Sequence, residues 1–274
     1  MRHLLAIGLT LLCSSAAFAQ TSSVPPEDFN NSRRLSGDAI NVCFDRTSLA
    51  RQFDEAVAQA IGDALFLKVT VVEGFGGFPL SGDGFLDELT LAMNNTCDMF
   101  MGVSVSVNAP ISEAFALTRP YATIPFVVAV AEPDWQNLGD IPKDRKLGTA
   151  MASLGEMNYI TWAQQQPEAE RWVRFPYADY DKMATRVIDG TIAGMIVWQP
   201  ALAQVLAKRP DAAVLRVIAN DPLPLASVSV GALVSSRNSF LRSQVDQAID
   251  ALTADGTLAG LMAEYGYEGR PGGG

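Results

Sequence analysis

The amino-acid sequence predicts an α/β protein with two lobes, between which the chain crosses twice. Three observations predict this class. Short apolar strands alternate with amphipathic helices from residue 38 to residue 266, as in sheets covered by helices. Proline-containing breaks interrupt this alternation at 132–135 and 221–224. The span of about 230 residues between polar ends is long enough for one large domain or two lobes.

These breaks and the composition of the two ends divide the chain into segments. The polar stretch before residue 38 has paired prolines and no periodicity, and the last residues are mostly glycine; neither composition favours a packed core. The predicted segments are a signal peptide at 1–19, a flexible leader at 20–37, lobe I at 38–131 together with 227–268, lobe II at 132–226, and a loose tail at 269–274.

The elements of lobe I follow from the spacing of apolar residues. Apolar side chains recur at helical spacing from Leu49 to Ala64, whereas the runs on either side are short and apolar, as in buried strands. Two further helices near the C-terminus have apolar faces that need a sheet to cover them. In order, the predicted elements are strand 39–44, helix 49–65, strand 67–72, helix 84–94, strand 97–103, strand 124–131, strand 228–234, helix 240–254 and helix 256–265.

Lobe II repeats the alternation of strand and helix between the two breaks. Its strands are short apolar runs, and its helices follow residues that favour helix starts, such as Ser153 and Asp179. In order, the predicted elements are strand 146–149, helix 153–165, strand 172–175, helix 179–189, strand 193–197, helix 201–208 and strand 214–218.

The first 19 residues have the regions of a secretory signal peptide. Basic residues Arg2 and His3 precede an apolar run at 4–12, and the segment ends in Ala-Phe-Ala at 17–19, which is typical of a cleavage site. A retained anchor is the alternative, but the apolar run is shorter than the roughly 20 residues that span a bilayer. We therefore expect a periplasmic protein without a membrane anchor.

Charge and histidine content exclude several functions. The full chain has 20 basic and 30 acidic residues, and loss of Arg2 with the signal peptide leaves a net charge of −11. This balance argues against nucleic acid as a partner. Cleavage also removes His3, the only histidine, which excludes histidine-dependent triads and histidine metal sites. We expect no enzyme, no cofactor and no metal; Met99 and Met101 are predicted to pack in a strand.

Two cysteines, Cys43 and Cys97, remain after cleavage. An even number in an oxidising compartment favours one disulfide, which could stabilise the fold by roughly 4 kcal/mol. Two buried free thiols are the alternative, because cysteine is often a core residue. The sequence has no C-x-x-C redox motif.

Several short motifs in order resemble those of the type II periplasmic solute-binding proteins, the family that includes receptors for polar amino acids. The matching motifs are the aspartate-led strand at 95–102, the Thr-Arg-Pro-Tyr turn at 118–121, the strand-to-helix turn at 190–200 and the Asp-Gly-Thr helix junction at 254–258. The resemblance covers roughly residues 38 to 266 and implies a two-lobed fold with a ligand cleft between the lobes.

The chain departs from this family where amino-acid receptors hold the ligand. Ile111 stands at or near the position of the arginine that pairs with the ligand carboxylate, and Trp198 replaces the aspartate that holds the ammonium group. A bidentate arginine is difficult to replace. The loop at 45–48 is also short. The departures therefore predict that ordinary amino-acid binding is lost.

A narrower resemblance involves the same residues. The runs at 42–45, 97–103, 118–121 and 196–200 look like those of the binding-protein-like accessory proteins of periplasmic quinoprotein methanol and alcohol dehydrogenases. This resemblance implies a non-enzymatic protein that binds and assists a quinoprotein dehydrogenase or its cytochrome. The alternative is the solute-binding component of an ABC importer for a small polar solute, whose partner is the permease. An enzyme is the least favoured class.

The candidate cleft residues are polar or aromatic and follow predicted strands, where open α/β sheets bind ligands. Each has a structural alternative: aromatic residues are usually half-buried, Ser153 could be a helix N-cap, and Arg119 could pair with Asp98 or Asp45. The candidates for ligand or partner binding are Asp45, Arg46, Ser104, Ser106, Arg119, Tyr121, Ser153, Trp198 and Gln199.

Overall fold

The computed structural model describes residues 37–72, 85–105 and 112–273. The predicted signal peptide and all but the last residue of the predicted leader lie outside the described residues. Among the described helices, none is long and apolar enough to cross a membrane.

Eleven strands and seven α-helices make up the described part of the chain. The strands are β1 Ala39–Phe44, β2 Lys68–Val72, β3 Met99–Ser104, β4 Phe115–Leu117, β5 Ala122–Val130, β6 Lys146–Ala150, β7 Val173–Tyr177, β8 Gly194–Trp198, β9 Arg216–Ile218, β10 Ser227–Ser235 and β11 Arg270–Pro271. The helices are α1 Arg51–Ala64, α2 Phe85–Asn95, α3 Leu154–Gln164, α4 Tyr180–Ile188, α5 Gln199–Lys208, α6 Ser239–Ala254 and α7 Thr257–Glu264.

Strand β5 belongs to both lobes. Its first residues, up to Pro125, pair with β10 and β11, whereas Phe126 to Val130 pair with β8 and β9. The strand order is β2-β1-β3-β10-β5 on one side and β5-β8-β6-β7 on the other. The chain returns from β9 to β10, which makes the second crossing. The predicted two-lobed α/β fold is thus confirmed; the exact lobe limits remain a prediction, because β5 is shared.

The parallel pairs β1–β2, β1–β3, β6–β7 and β6–β8 carry helices on their faces. In lobe I, α1, α6 and α7 cover one face of the sheet, and their buried side chains form one core with β1, β3 and β5. In lobe II, α4 and α5 cover one face and α3 covers the other. The carboxyl ends of β1, β6 and β8 therefore lead into helices that begin near the junction of the lobes.

The predicted disulfide between Cys43 and Cys97 is present. It joins β1 to the turn before β3, and both cysteines are buried in a cluster beneath α2. The bond therefore fastens the strand that leads into the loop at 45–50.

The predicted loose tail at 269–274 is wrong for its described residues. Arg270 and Pro271 form β11 against the start of β5, and Gly272 donates its N–H to the carbonyl oxygen of Tyr121. Gly269 makes this approach possible, since a Cβ there would lie 2.2 Å from the carbonyl oxygen of Thr123. The C-terminal segment is therefore part of the lobe junction.

Candidate functional site

The loop between β1 and α1 reaches from lobe I to lobe II. Leu49, in this loop, packs against the core of lobe II that contains Leu202 and Val205. Nε2 of Gln204, on α5, donates a 2.7 Å hydrogen bond to the carbonyl oxygen of Leu49. One apolar contact and one hydrogen bond thus join the lobes at this loop.

Trp198 and Gln199 make two further contacts at the junction. Nε1 of Trp198 donates to the carbonyl oxygen of Ile124 in the shared strand β5 at 3.3 Å, and the ring packs against the core of lobe I. Oε1 of Gln199 accepts a 2.7 Å hydrogen bond from the N–H of Glu268. Trp198 and Gln199, which were both predicted to line the cleft, therefore link lobe II to lobe I.

A cavity of about 630 Å³ opens between the same elements. One wall is formed by the loop between β1 and α1 and by the start of α1, in lobe I. The opposite wall is the C-terminal half of α5, in lobe II. The C-terminal end of α7 and the residues after it complete the cavity. This volume lies within the range of small-molecule sites, roughly 300–1,000 Å³. The lining residues are Arg46, Thr47, Ser48, Leu49, Arg51, Gln52, Ala203, Gln204, Ala207, Lys208, Glu264, Tyr265 and Tyr267.

A buried carboxylate lies beneath this cavity. Oδ1 of Asp54 accepts a 2.7 Å hydrogen bond from the hydroxyl of Tyr121, which itself accepts one from the N–H of Gly102. Oδ2 of Asp54 accepts from the hydroxyl of Ser48 at 3.2 Å. Burial raises the pKa of Asp54 to about 7, although these hydrogen bonds and the charge of Arg51 act to lower it.

Asp45 and Arg46 follow β1 but have different surroundings. Oδ1 of Asp45 accepts hydrogen bonds from the N–H and the hydroxyl of Thr47 at 2.7 and 2.6 Å. Its Oδ2 is buried and has no hydrogen-bond partner among the described residues. Arg46 is exposed and lines the cavity. Of the candidates, Arg46 is therefore the one whose side chain is available to a ligand in this cavity.

Ser153 is an N-cap, as the structural alternative predicted. Its hydroxyl accepts from the N–H of Glu156 at 3.1 Å. The carboxylate of Glu156 folds back onto the start of α3, where it accepts from the N–H of Ala152 at 2.7 Å and the hydroxyl of Thr149 at 2.9 Å, and pairs with Arg174. The position that would suit an external anion is therefore occupied by the protein's own carboxylate.

Arg119 and Tyr121 do not line the cavity. Arg119 pairs with Asp250 on α6, and its N–H donates to Asp246, so its partner is neither Asp98 nor Asp45. Tyr121 has no exposed surface. The Thr-Arg-Pro-Tyr turn therefore fastens the start of β5 to α6 and to the core.

Ser104 ends β3 and is exposed opposite Val230 of β10. It takes no part in the cavity. Ser106 lies outside the described residues, as does Ile111 at the position of the missing arginine.

Sequence reasoning missed most of the cavity. Lys208, Tyr265 and Tyr267 come from two distant parts of the chain, and no motif connects them. Asp54 did leave a signal, because it is a charged residue on the apolar face of α1, one position after Phe53 and three before Val57. A charge in that place indicates a buried polar network.

No protein-family model matches the chain, and no curated protein matches it in sequence. Solved structures do match. The open form of substrate-binding domain 2 of GlnP from Lactococcus lactis has a TM-score of 0.64 at 14% identity, over 85% of this chain and 97% of that one. The unliganded open L-cystine solute receptor of Neisseria gonorrhoeae has a TM-score of 0.60 at 19% identity, over 83% and 92%.

A third match is the probable amino-acid ABC transporter extracellular-binding protein of Bacillus subtilis, with a TM-score of 0.63 at 14% identity, over 83% of this chain and 97% of that one. At such low identity the likeness establishes the fold alone. The chain has the two-lobed type II periplasmic binding-protein fold, and its structural neighbours are solute-binding proteins.

Proposed function

We propose that the chain is a non-enzymatic periplasmic solute-binding protein that delivers a small polar solute to an ABC importer. The observation that carries the proposal is the cavity of about 630 Å³, whose walls come from both lobes. A ligand there touches α5 and the loop after β1 together, so its binding energy can hold the lobes in one arrangement. Export through the signal peptide at 1–19 belongs to the same proposal.

The ligand chemistry differs from that of an amino-acid receptor. Trp198 stands where such receptors have an aspartate, and its indole N–H is already bonded to Ile124. The helix start at Ser153 is filled by Glu156. Neither position offers a free group for the ammonium or carboxylate of an amino acid. The proposed solute therefore binds beside these positions, in the cavity next to α5.

Thermal unfolding with a solute library tests this function. A ligand that binds only the folded state stabilises it by about 2.7 kcal/mol at 100 times its dissociation constant. We expect at least one small solute to raise the unfolding temperature of the mature chain in a saturable way. A library of amino acids, organic acids, amines and sugars that gives no shift would contradict the proposal.

A second candidate is the accessory protein of a quinoprotein dehydrogenase. The specific observation in its favour is that Cys43 and Cys97, which belong to the motifs of that subgroup, are bonded to each other. Immobilised quinoprotein methanol dehydrogenase, with its cytochrome, should then retain the mature chain, while the solute library gives no shift. The structural neighbours favour the importer.

A further inference from the structure

The interlobe cavity is rich in cations and hydrogen-bond donors. Arg46, Arg51 and Lys208 line it from the loop, from α1 and from α5, whereas Glu264 is the one acidic residue among the lining residues that the structure describes. Glu55 pairs with Arg51, so three cations stand against two carboxylates at the described wall, while the nearby carboxylates of Asp45 and Asp54 are buried. The full chain, by contrast, has a net charge of −10.

Two of the three cations, Arg51 and Lys208, are held by neighbouring side chains. The guanidinium carbon of Arg51 lies over the Phe44 ring, 4.7 Å from its centre, and a cation–π contact of this kind stabilises a cation. Nζ of Lys208 lies 3.4 Å from Oε1 of Gln204, the residue that also bonds to Leu49. Lys208 is therefore tied to the contact that joins the lobes. Arg46 forms no ion pair with any residue of the described ranges.

Two tyrosines add donors and flat apolar surface. The rings of Tyr265 and Tyr267 pack edge-on against Phe53, with centroids at 5.8 and 5.1 Å. Tyr267 is 9% exposed, and its hydroxyl has no hydrogen-bond partner in the described part of the chain. Burial raises the pKa of Tyr267, so its hydroxyl keeps its proton and can donate. An acceptor in the cavity would satisfy it.

We propose that this cavity binds a small organic anion, with its carboxylate or similar group toward Arg46, Arg51 and Lys208 and its less polar part against Tyr265 and Tyr267. The inference rests on the proposed solute-binding function and names the class of its ligand. Cations from both lobes then contact one anion, so the anion links Arg46 and Arg51 of lobe I to Lys208 of lobe II.

Calorimetric titration of the mature chain with matched solutes tests the charge requirement. The probes are benzoate with benzylamine and benzamide, succinate with 1,4-diaminobutane, and citrate, with glutamate as a zwitterionic comparison. We expect an organic anion to bind with one site per chain, and its amine or amide counterpart to bind at least about tenfold more weakly. Binding should weaken as salt concentration rises.

Two substitutions locate the anion. Arg46→Gln and Lys208→Gln should each weaken binding of the anion about tenfold, while Lys182→Gln, an exposed lysine on α4 outside the cavity, should leave the affinity unchanged. Unchanged affinity in both cavity variants overturns the inference.

The outcomes separate this inference from the function on which it rests. If an amine, amide or glutamate binds as tightly as any anion, the solute-binding function stands and the anion inference fails. If no probe and no library solute binds, both fail.

Discussion

The hydroxyl of Tyr121 donates a 2.7 Å hydrogen bond to Oδ1 of Asp54, and neither side chain has any exposed surface. Tyr121 immediately precedes β5, the strand shared by the lobes, and Asp54 also accepts from Ser48 in the wall of the cavity. One buried carboxylate therefore connects the shared strand to the loop that reaches lobe II.

The raised pKa of Asp54 makes stability depend on pH. Its folded-state pKa is about 7 against an ordinary value of 3.8, so between these values the folded protein keeps a proton that the unfolded chain has lost. The contribution of Asp54 is most favourable below pH 3.8 and is lost as the pH rises to about 7. We expect the stability of the wild type relative to Asp54→Asn to fall over this interval and to level off above it.

Denaturant unfolding of both proteins from pH 4 to pH 9 measures this difference. Because both proteins share the other titrating groups, the contributions of those groups cancel in the difference between the two free energies of unfolding. The charged and titratable neighbours of Asp54 are Arg51 and Glu55 on α1, Tyr121 and Tyr267. A difference that stays constant with pH would mean that Asp54 titrates near its ordinary pKa.

Gly102 is required beside Asp54. Its φ is +80°, and a Cβ there would lie 2.7 Å from Oδ2 of Asp54. The left-handed backbone alone costs roughly 1–2 kcal/mol for a residue with a side chain, and the contact adds to that. Gly190 has a φ of +75°, and no atom of the described residues lies within 4 Å of its Cβ position.

We therefore expect Gly102→Ala to lower the free energy of unfolding by more than Gly190→Ala does. Equal losses in the two variants would show that the Asp54 contact is not tight. Urea unfolding at one pH is sufficient for this comparison.

Loss of the disulfide should destabilise lobe I. Cys43 and Cys97 are 54 residues apart. Closing a loop of this size lowers the entropy of the unfolded chain, which raises the free energy of unfolding by about 4 kcal/mol. The double variant Cys43→Ala/Cys97→Ala should lose about that much. Reduction of the wild type followed by unfolding is the matched control, and a loss below about 1 kcal/mol in both would contradict the loop-closure account.

Trp198 should stabilise the junction through its indole N–H. Trp198→Phe keeps an aromatic ring and removes the hydrogen bond to Ile124, which we expect to cost about 1 kcal/mol beyond the loss of ring size. Trp135→Phe is the control for ring size, because Trp135 is also a partly buried tryptophan, packed against a core of lobe II. If the two variants lose the same free energy of unfolding, the Trp198 bond contributes nothing.

The fold could be predicted because apolar periodicity marks its long elements. The apolar spacing from Leu49 to Ala64 predicted α1, and Phe53, Val57 and Ile61 within it are buried. Strand β11 could not be predicted, since two residues between glycines carry no pattern and are ordered by backbone pairing with β5. A two-residue strand of this kind forms only when the neighbouring strand of the folded sheet is in place.

The site was only partly predictable, because sequence motifs mark turns better than contacts. Trp198 and Gln199, predicted for a ligand or partner cleft from their place after a strand, lie at the junction of the lobes but do not line the cavity. Arg119 was misplaced because its partner, Asp250, comes from α6, 131 residues later in the chain. The partners of Lys208 at the cavity likewise depend on how α5 and α7 pack. Contacts between charged residues that are so far apart in the sequence can be identified only from the tertiary structure.

The central claim, that a solute binds between the lobes, is tested most directly by amide hydrogen exchange with and without the solute that gives the largest thermal shift. The account predicts added protection in two places at once, the segment 46–52 of lobe I and α5, Gln199–Lys208, of lobe II. Protection confined to one lobe, or absent from both segments, would contradict it.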